Sequence, residues 1–285
     1  VDQHLFIKPG TDAFFLLGLI RHVLDKGLSK PGRLQQLSDN WDALAPLFEG
    51  VTLEQVSARC GIAVNQIQRI AEDFAAAECA VCYGRMGVST QSYGALNHWL
   101  MLVLNILTGN LDRPGGMMFT TPAFNKAQSR PMGSFNRHQS RTRGLPEFDS
   151  YFPAATLAEE MLTPGEGQVR GFVCVAGNPV LSTPNGRQMD AALEQLDFMV
   201  SIDFYLNETS RHADIILPPT GPLEHEQYDI VFNMLAVRNL ARYSDPVFEP
   251  PQGTRCDWDI VQGLAERIMT LKNPEGAAPR KMPRP

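Results

Sequence analysis

Five side chains carry the chemistry that this sequence suggests. Asp12, Asn178, Asp203, Glu208 and Thr209 each follow an apolar run that reads as a strand. In an open parallel sheet, ligands bind beyond the carboxyl ends of the strands, so acids and amides placed there are informative. Guanine presents two adjacent N–H donors on its base-pairing edge, and one ionised carboxylate accepts both in a charge-assisted bidentate pair. Asp12 suits that task, because it opens a helix whose N-terminus stabilises negative charge by about 0.3–1 kcal/mol. Plainer roles compete. Thr11 or Asp12 can simply cap the helix, and on that stretch alone capping is the stronger reading. Asp203 and the Glu208-Thr209 pair also fit a solvated loop. In "VAGNPVLSTPNG", Gly177 lets a ligand approach the backbone, Asn178 offers a donor and an acceptor, and Pro179 fixes the turn. An ordinary strand-to-helix turn uses the same residues, so the two readings stand level. No P-loop and no G-x-G-x-x-G is present, so a dinucleotide must be held some other way.

Other reactive side chains read as structural. Cys79-Ala-Val-Cys82 has metal or redox spacing. It lies in "ECAVCYG", which reads as a buried strand, with no second pair or nearby histidine. His98 sits within an apolar helix and reads as a core histidine. His225, in "LEHEQYD", is a better candidate for chemistry and equally a surface-loop residue. No catalytic base is assigned.

The elements that must position these residues follow from periodicity. A strand over His4–Ile7 leads through Lys8-Pro9-Gly10 into a helix over Thr11–Lys26. Helices over Leu53–Arg59 and Ala63–Ala76, with Gly61 between, have helix–turn–helix spacing. Gln66, Gln68 and Arg69 would suit a DNA-reading face, but Glu72 and Asp73 oppose phosphates, so a structural hairpin is expected. A strand over Ala80–Gly84 passes through "GRMGVSTQSYG" to a helix over Tyr93–Leu107. The polar stretch 120–144 is too long for an ordinary connector. A short helix is expected within Phe148–Leu162. "VRGFVCVAG" reads as a strand covered on both faces. A helix over Gly186–Leu196 and strands in "DFMVSID" and "ADIILP" complete a right-handed parallel βαβ unit. Arg238–Glu249 reads as extended, and "DWDIVQGLAERI" as an amphipathic helix capped by Asp257. The expectation is an α/β fold of two Rossmann-like lobes with parallel sheets flanked by helices. The lobes cover 1–122 and 165–272, with a long loop or linker over 123–164 and a disordered tail over 273–285.

Composition narrows the class. The chain has 285 residues, 44% hydrophobic and 20% charged, enough to bury real cores. A net charge of -6 argues against a general nucleic-acid binder. No apolar run reaches membrane-spanning length. The chain opens on Val1 without a recognisable leader, which suggests a piece of something longer.

Several stretches, in this order, resemble the middle of a molybdopterin oxidoreductase of the dimethyl sulfoxide reductase family. They are "HLFIKPGTDAFFLLGLI", "GRMGVSTQSYGALNHWLMLVLNILTGNLDRPGG", the segment from "VAGNP" through "NETSRHADIILPPTGPLEHE", and "CDWDIVQGLAERI". The resemblance implies a molybdenum or tungsten ion held between two molybdopterin guanine dinucleotides, used for oxygen-atom transfer or dehydrogenation. It implies that Asp12 reads a guanine. It also implies cofactor contacts from Gly10, Thr11, Gly177, Asn178, Pro179, Asp203, Glu208 and Thr209. Gly84, Gly87, Thr90 and Gln91 would lie near the metal-side cavity. The family's iron–sulfur (4Fe-4S) cysteine cluster and its metal-ligating residue find no match here, nor does its C-terminal closing domain. The resemblance therefore implies that this chain works with missing N- and C-terminal parts of the same enzyme, and with an electron-transfer subunit, and is inactive alone. The "RGQNN"-type segment of formate dehydrogenases is replaced by "MMFTTPAFNKAQ", which argues against formate. The compartment, cytoplasmic or periplasmic, stays open. An unpaired His4–Ile7 edge predicts self-association. A non-catalytic guanine-nucleotide-binding module and, more remotely, a DNA-binding protein are the alternatives.

Overall fold

The computed structural model describes residues 1–123, 134–236 and 238–273. The expected tail beyond Asn273 and residues 124–133 of the polar stretch lie outside them. The chain divides into two compact units, Val1–Thr120 and Thr121–Pro285.

The first unit is helical. Helix α1 (Asp12–Asp25) buries Ala13, Leu16, Leu19, Ile20 and Val23 along one stripe, the spacing expected of a core-facing helix. After a short α2 (Leu34–Leu37) come α3 (Leu53–Cys60) and α4 (Val64–Ala76). Thr52 caps α3 by accepting from Gln55 N, and Gly61 ends it at φ +81°, a left-handed conformation that suits glycine. A methyl group at Gly18 would stand 2.8 Å from Val56 Cγ1, so the glycine lets α1 approach α3 closely. The hairpin is structural, as expected: Ile67, Ala71 and Ala75 of α4 join α1 and α6 (Gly94–Leu107) in one core.

Two expected strands are absent as strands. Leu5 and Ile7 turn inward and Phe6 outward, yet the segment pairs with no strand among the described residues; Lys8 N instead donates to Cys60 O at 2.9 Å. Ala80–Gly84 also alternates, with Val81 and Tyr83 exposed. Its partners are side chains. Asn105, fully buried on α6, accepts from Cys82 N at 2.9 Å and donates to Cys82 O at 2.9 Å, as a neighbouring strand would. Asn110 Oδ1 accepts from Ala80 N at 3.3 Å. Alternation is a property of the segment, whereas a ladder needs a partner.

The second unit holds the parallel sheet. The stretch expected as a linker contains an antiparallel pair, β1 (Phe135–Gln139) and β2 (Pro146–Phe148), followed by helix α7 (Leu157–Leu162). Strands β3 (Gly171–Val175), β4 (Phe198–Ile202) and β5 (Ile215–Ile216) run parallel in that spatial order. Helices α8 (Pro179–Ser182) and α9 (Gly186–Leu193) connect β3 to β4. One sheet face packs Cys174 and Met199 against Met161, Met189 and Leu193. The other face is open at its margins, with Val173 50% and Phe198 48% exposed, contrary to the expectation that β3 is covered on both sides.

A short pair, β6 (Gln227–Tyr228) and β7 (Tyr243–Ser244), brackets helix α10 (Ile230–Met234) and accounts for part of the extended stretch expected over 238–249. Helix α11 (Asp257–Lys272) begins one residue earlier than a cap at Asp257 requires: Cys256 is the capping position, and Asp257 accepts from Trp258 N within the first turn. Among the described residues, no helix is long and apolar enough to cross a membrane.

Candidate functional site

The carboxyl ends of β3 and β4 hold the densest polar network among the residues singled out. Pairing of Val175 with Ile202 brings the two ends level, and Ala176 N extends the ladder by donating to Ile202 O at 2.9 Å. Ala176 takes a left-handed φ of +48°, which turns the chain sharply off the strand. Pro179 then fills the first helical position of α8, where a missing N–H costs nothing.

Three candidates meet directly. Val180 N donates to Thr209 Oγ1 at 3.1 Å, Thr209 Oγ1 donates to Asn178 Oδ1 at 2.8 Å, and Asn178 Nδ2 donates to Glu208 Oε2 at 2.8 Å. Thr209 is fully buried, and its hydroxyl both donates its one proton and accepts one bond. This assignment orients the Asn178 amide and sends every donor in the chain toward Glu208. Aligned hydrogen bonds of this kind strengthen one another. The Asn178 amide is the main reason the Glu208 carboxyl lies below its ordinary range, with its own main-chain N–H and the Arg211 charge assisting. Glu208 is exposed, so its charge faces solvent.

Asp203 directly follows β4 and is half-buried. Its Oδ1 accepts from Tyr205 N at 2.9 Å and its Oδ2 from Asn207 Nδ2 at 3.2 Å. Asn207 in turn accepts from Thr209 N and Ser210 N, each at 2.9 Å, so Asp203 and Glu208 belong to one braced loop. Gly177 O accepts a weak bond from Cys174 Sγ at 3.3 Å, and burial pushes that thiol up. Asn207 stands with the other polar residues that follow the apolar strands, and its role is to brace the loop, as asparagine readily organises its own following backbone. Asp190 and Arg211 support the site and escape a reading based on strand ends.

The first unit presents a separate set. Lys8-Pro9-Gly10-Thr11 forms a tight turn, with Gly10 at φ +77° and Thr11 N donating to Lys8 O at 3.3 Å. Thr11 occupies the capping position of α1, but its hydroxyl donates back to Lys8 O at 2.5 Å and does not cap. Lys8 Nζ donates to Ala58 O at 3.1 Å, so its charge satisfies the end of α3. Asp12 is the first helical residue, half-buried, and no hydrogen bond or ion pair to its carboxylate occurs among the described residues.

The turn after residue 84 closes on itself. In α5 (Met86–Ser89) and just beyond, Thr90 Oγ1 donates to Met86 O at 2.9 Å and Gln91 Nε2 to Gly87 O at 2.7 Å. A methyl group at Gly84 would meet Val88 Cγ2 at 2.6 Å, which gives that glycine a packing role, while Gly87 has open space around it.

Two side chains, His98 and Cys79, differ from expectation. His98 is exposed and meets Ser89 Oγ at 2.7 Å; the core histidine is His22, whose Nε2 lies 2.8 Å from Glu72 Oε1. An apolar helix still has an outward face, and residue 98 falls on it. Cys79 is exposed, whereas burial pushes the Cys82 thiol up to about 11. His225 Nδ1 lies 3.1 Å from Thr220 Oγ1.

The chain is similar to known proteins over most of its length. The molybdopterin oxidoreductase profile matches residues 1–267. The chain is 26% identical to the assimilatory nitrate reductase catalytic subunit of Bacillus subtilis, over 94% of its own length and 39% of that protein. It is 25% identical to a dimethyl sulfoxide/trimethylamine N-oxide reductase of Cereibacter sphaeroides, over 92% of this chain and 34% of the relative. Acetylene hydratase from Pelobacter acetylenicus shares the fold, with a TM-score of 0.72 at 17% identity, over 93% of this chain and 40% of that one. The chain thus spans well under half the length of these relatives. The match runs unbroken from the Asp12 turn through the strand-end network into α11, and the chain belongs to the molybdopterin oxidoreductase family.

Proposed function

We propose that this chain is the cofactor-holding section of a molybdenum or tungsten oxidoreductase, and that it takes molybdopterin in its guanine dinucleotide form. The Asn178–Thr209–Glu208 relay carries the reading. It ends on an exposed, ionised carboxylate with a single side-chain donor, in the loop that also carries Asp203. That acceptor fits a purine edge bearing N–H groups: it lies in the loop after β4, where an open sheet takes ligands, and the ionised form is favoured before any ligand arrives. Gly177 leaves its neighbours at ordinary contact distance even if a methyl group is added, so the backbone there is approachable.

Asp12, with Gly10 and Thr11, is assigned to a second guanine. Gly84, Gly87, Thr90 and Gln91 are assigned to the metal-side cavity, with Pro179 shaping the turn under Asn178. The bound metal supplies oxygen-atom transfer or dehydrogenation by changing oxidation state, and this chain binds and orients the cofactor. The 4Fe-4S cluster, the metal ligand and the closing domain belong to other parts of the enzyme, so the chain alone is inactive. An electron-transfer subunit and self-association through unpaired strand-like segments complete the proposal.

The test is calorimetric titration of the full chain with guanosine diphosphate and adenosine diphosphate. The expected result is a preference for the guanosine nucleotide of about tenfold or more, since a charge-assisted pair is worth about 1.5–3 kcal/mol. Equal binding of both nucleotides, or of neither, overturns the reading.

A further inference from the structure

The loop that carries Glu208 and Thr209 has a second anchor, on helix α9. It continues into a short turn over Ser210–His212, braced internally by Arg211 N donating to Asn207 O at 3.1 Å and Ser210 Oγ donating to Tyr205 O at 2.8 Å. Its last two side chains reach α9. Arg211 Nη2 donates to Asp190 Oδ1 at 2.6 Å, and His212 Nε2 lies 2.7 Å from the same oxygen. Asp190 sits on a rigid base, because its neighbours Met189, Ala192 and Leu193 are buried in the core of the unit.

One carboxylate oxygen therefore holds two consecutive side chains of the loop. Arg211 is 52% exposed on its side chain and lies three residues beyond Glu208. Without its tie to α9, the guanidinium would be free to swing onto Glu208 as an intramolecular competitor for the acceptor that a purine needs.

We propose that Asp190 is a positioning residue for the base-reading carboxylate: by binding Arg211 and His212 together, it fixes the Asn207–His212 loop and keeps the Glu208 acceptor open to a guanine edge. The inference rests on the reading under Proposed function. A role confined to folding would leave the guanine-over-adenine preference untouched, because stability does not distinguish the bases. Asp190 acts on the preference.

The experiment uses three full-chain variants and two measurements. Asp190→Ala removes the acceptor. Asp190→Asn retains an oxygen at the same position. Arg170→Ala breaks an ion pair to Asp197, 2.5 Å long, at the opposite end of the sheet. Titration with guanosine and adenosine diphosphates reads the preference, and amide hydrogen exchange at Thr209 and Ser210 reads the loop. Asp190→Ala should lower the guanosine preference about tenfold and speed exchange at both amides. Asp190→Asn should restore most of the preference, and Arg170→Ala should leave both readouts at the wild-type level. A wild-type preference that survives Asp190→Ala, or that falls equally in Arg170→Ala, overturns the inference alone. A wild-type chain without any preference removes the purine reading, and the inference with it.

Discussion

Glu147 and Glu208 are both carboxylates held in their charged form, and they put that charge to opposite uses. Glu147 has no exposed surface. It receives Ser134 Oγ, together with Arg137 N at 2.9 Å and Ser150 N at 2.8 Å, all from its own β1–β2 hairpin. The Ser134 hydroxyl, then the Ser150 amide, bring its pKa down to about 2. Glu208 has one side-chain donor, Asn178, and stands in solvent. The difference lies in how many acceptor positions the protein itself fills. A carboxylate saturated by local donors is a staple, whereas one with a single side-chain donor and an open face to solvent is available to something else.

Breaking the first side should disturb the fold most. Glu147→Ala leaves the part-buried amides of Arg137 and Ser150 without their acceptor, and each donor left unpaired costs more than the bond itself contributed. Amide exchange in the hairpin should accelerate about a hundredfold, with nucleotide titration unchanged. A hairpin that stays protected would deny Glu147 its role as staple. Thr209→Val comes next. It strands Val180 N–H and Asn178 Oδ1, and should cost about 1–3 kcal/mol in denaturant unfolding; a loss below that range would mean the relay contributes little to folding.

Acid sharpens the contrast. The folded pKa of Glu147, about 2, lies below its ordinary 4.5. The stability it contributes is therefore complete above the ordinary value and is lost as pH falls through the folded one. Hairpin protection should decay across that interval, and Glu147→Gln should remove the pH dependence. Glu208 is shifted in the same direction, so its contribution also disappears on acidification. The smallest effect on folding belongs to Glu208→Gln, which should lower the thermal midpoint only slightly while lowering the guanosine preference. A large drop in the midpoint would make Glu208 a second staple and erase the distinction.

The features legible in the sequence are those that depend on near neighbours. Helix α1 is expected over Thr11–Lys26 and found over Asp12–Asp25, and the β3–α9–β4–β5 order follows from alternating apolar runs and turn residues. Asn178, Glu208 and Thr209 stand out because they follow those strands, and they do meet. What escapes depends on partners distant in sequence. Glu147 looks like an ordinary loop acid until Ser134 is seen to reach it from thirteen residues away. His4–Ile7 and Ala80–Gly84 have the rhythm of strands, but rhythm says nothing about who pairs with them. The Asp190 anchor joins residues more than twenty positions apart, with no local signature.

Asn105 shows what such a substitute partner entails. It occupies one margin of the Ala80–Gly84 segment by taking both main-chain groups of Cys82. In an extended chain, successive residues aim those groups to opposite sides, so Val81 and Tyr83 direct theirs to the other margin. A strand joining there would be geared to α6 through a single amide. Tension on the newcomer would pass through Cys82 into the helix.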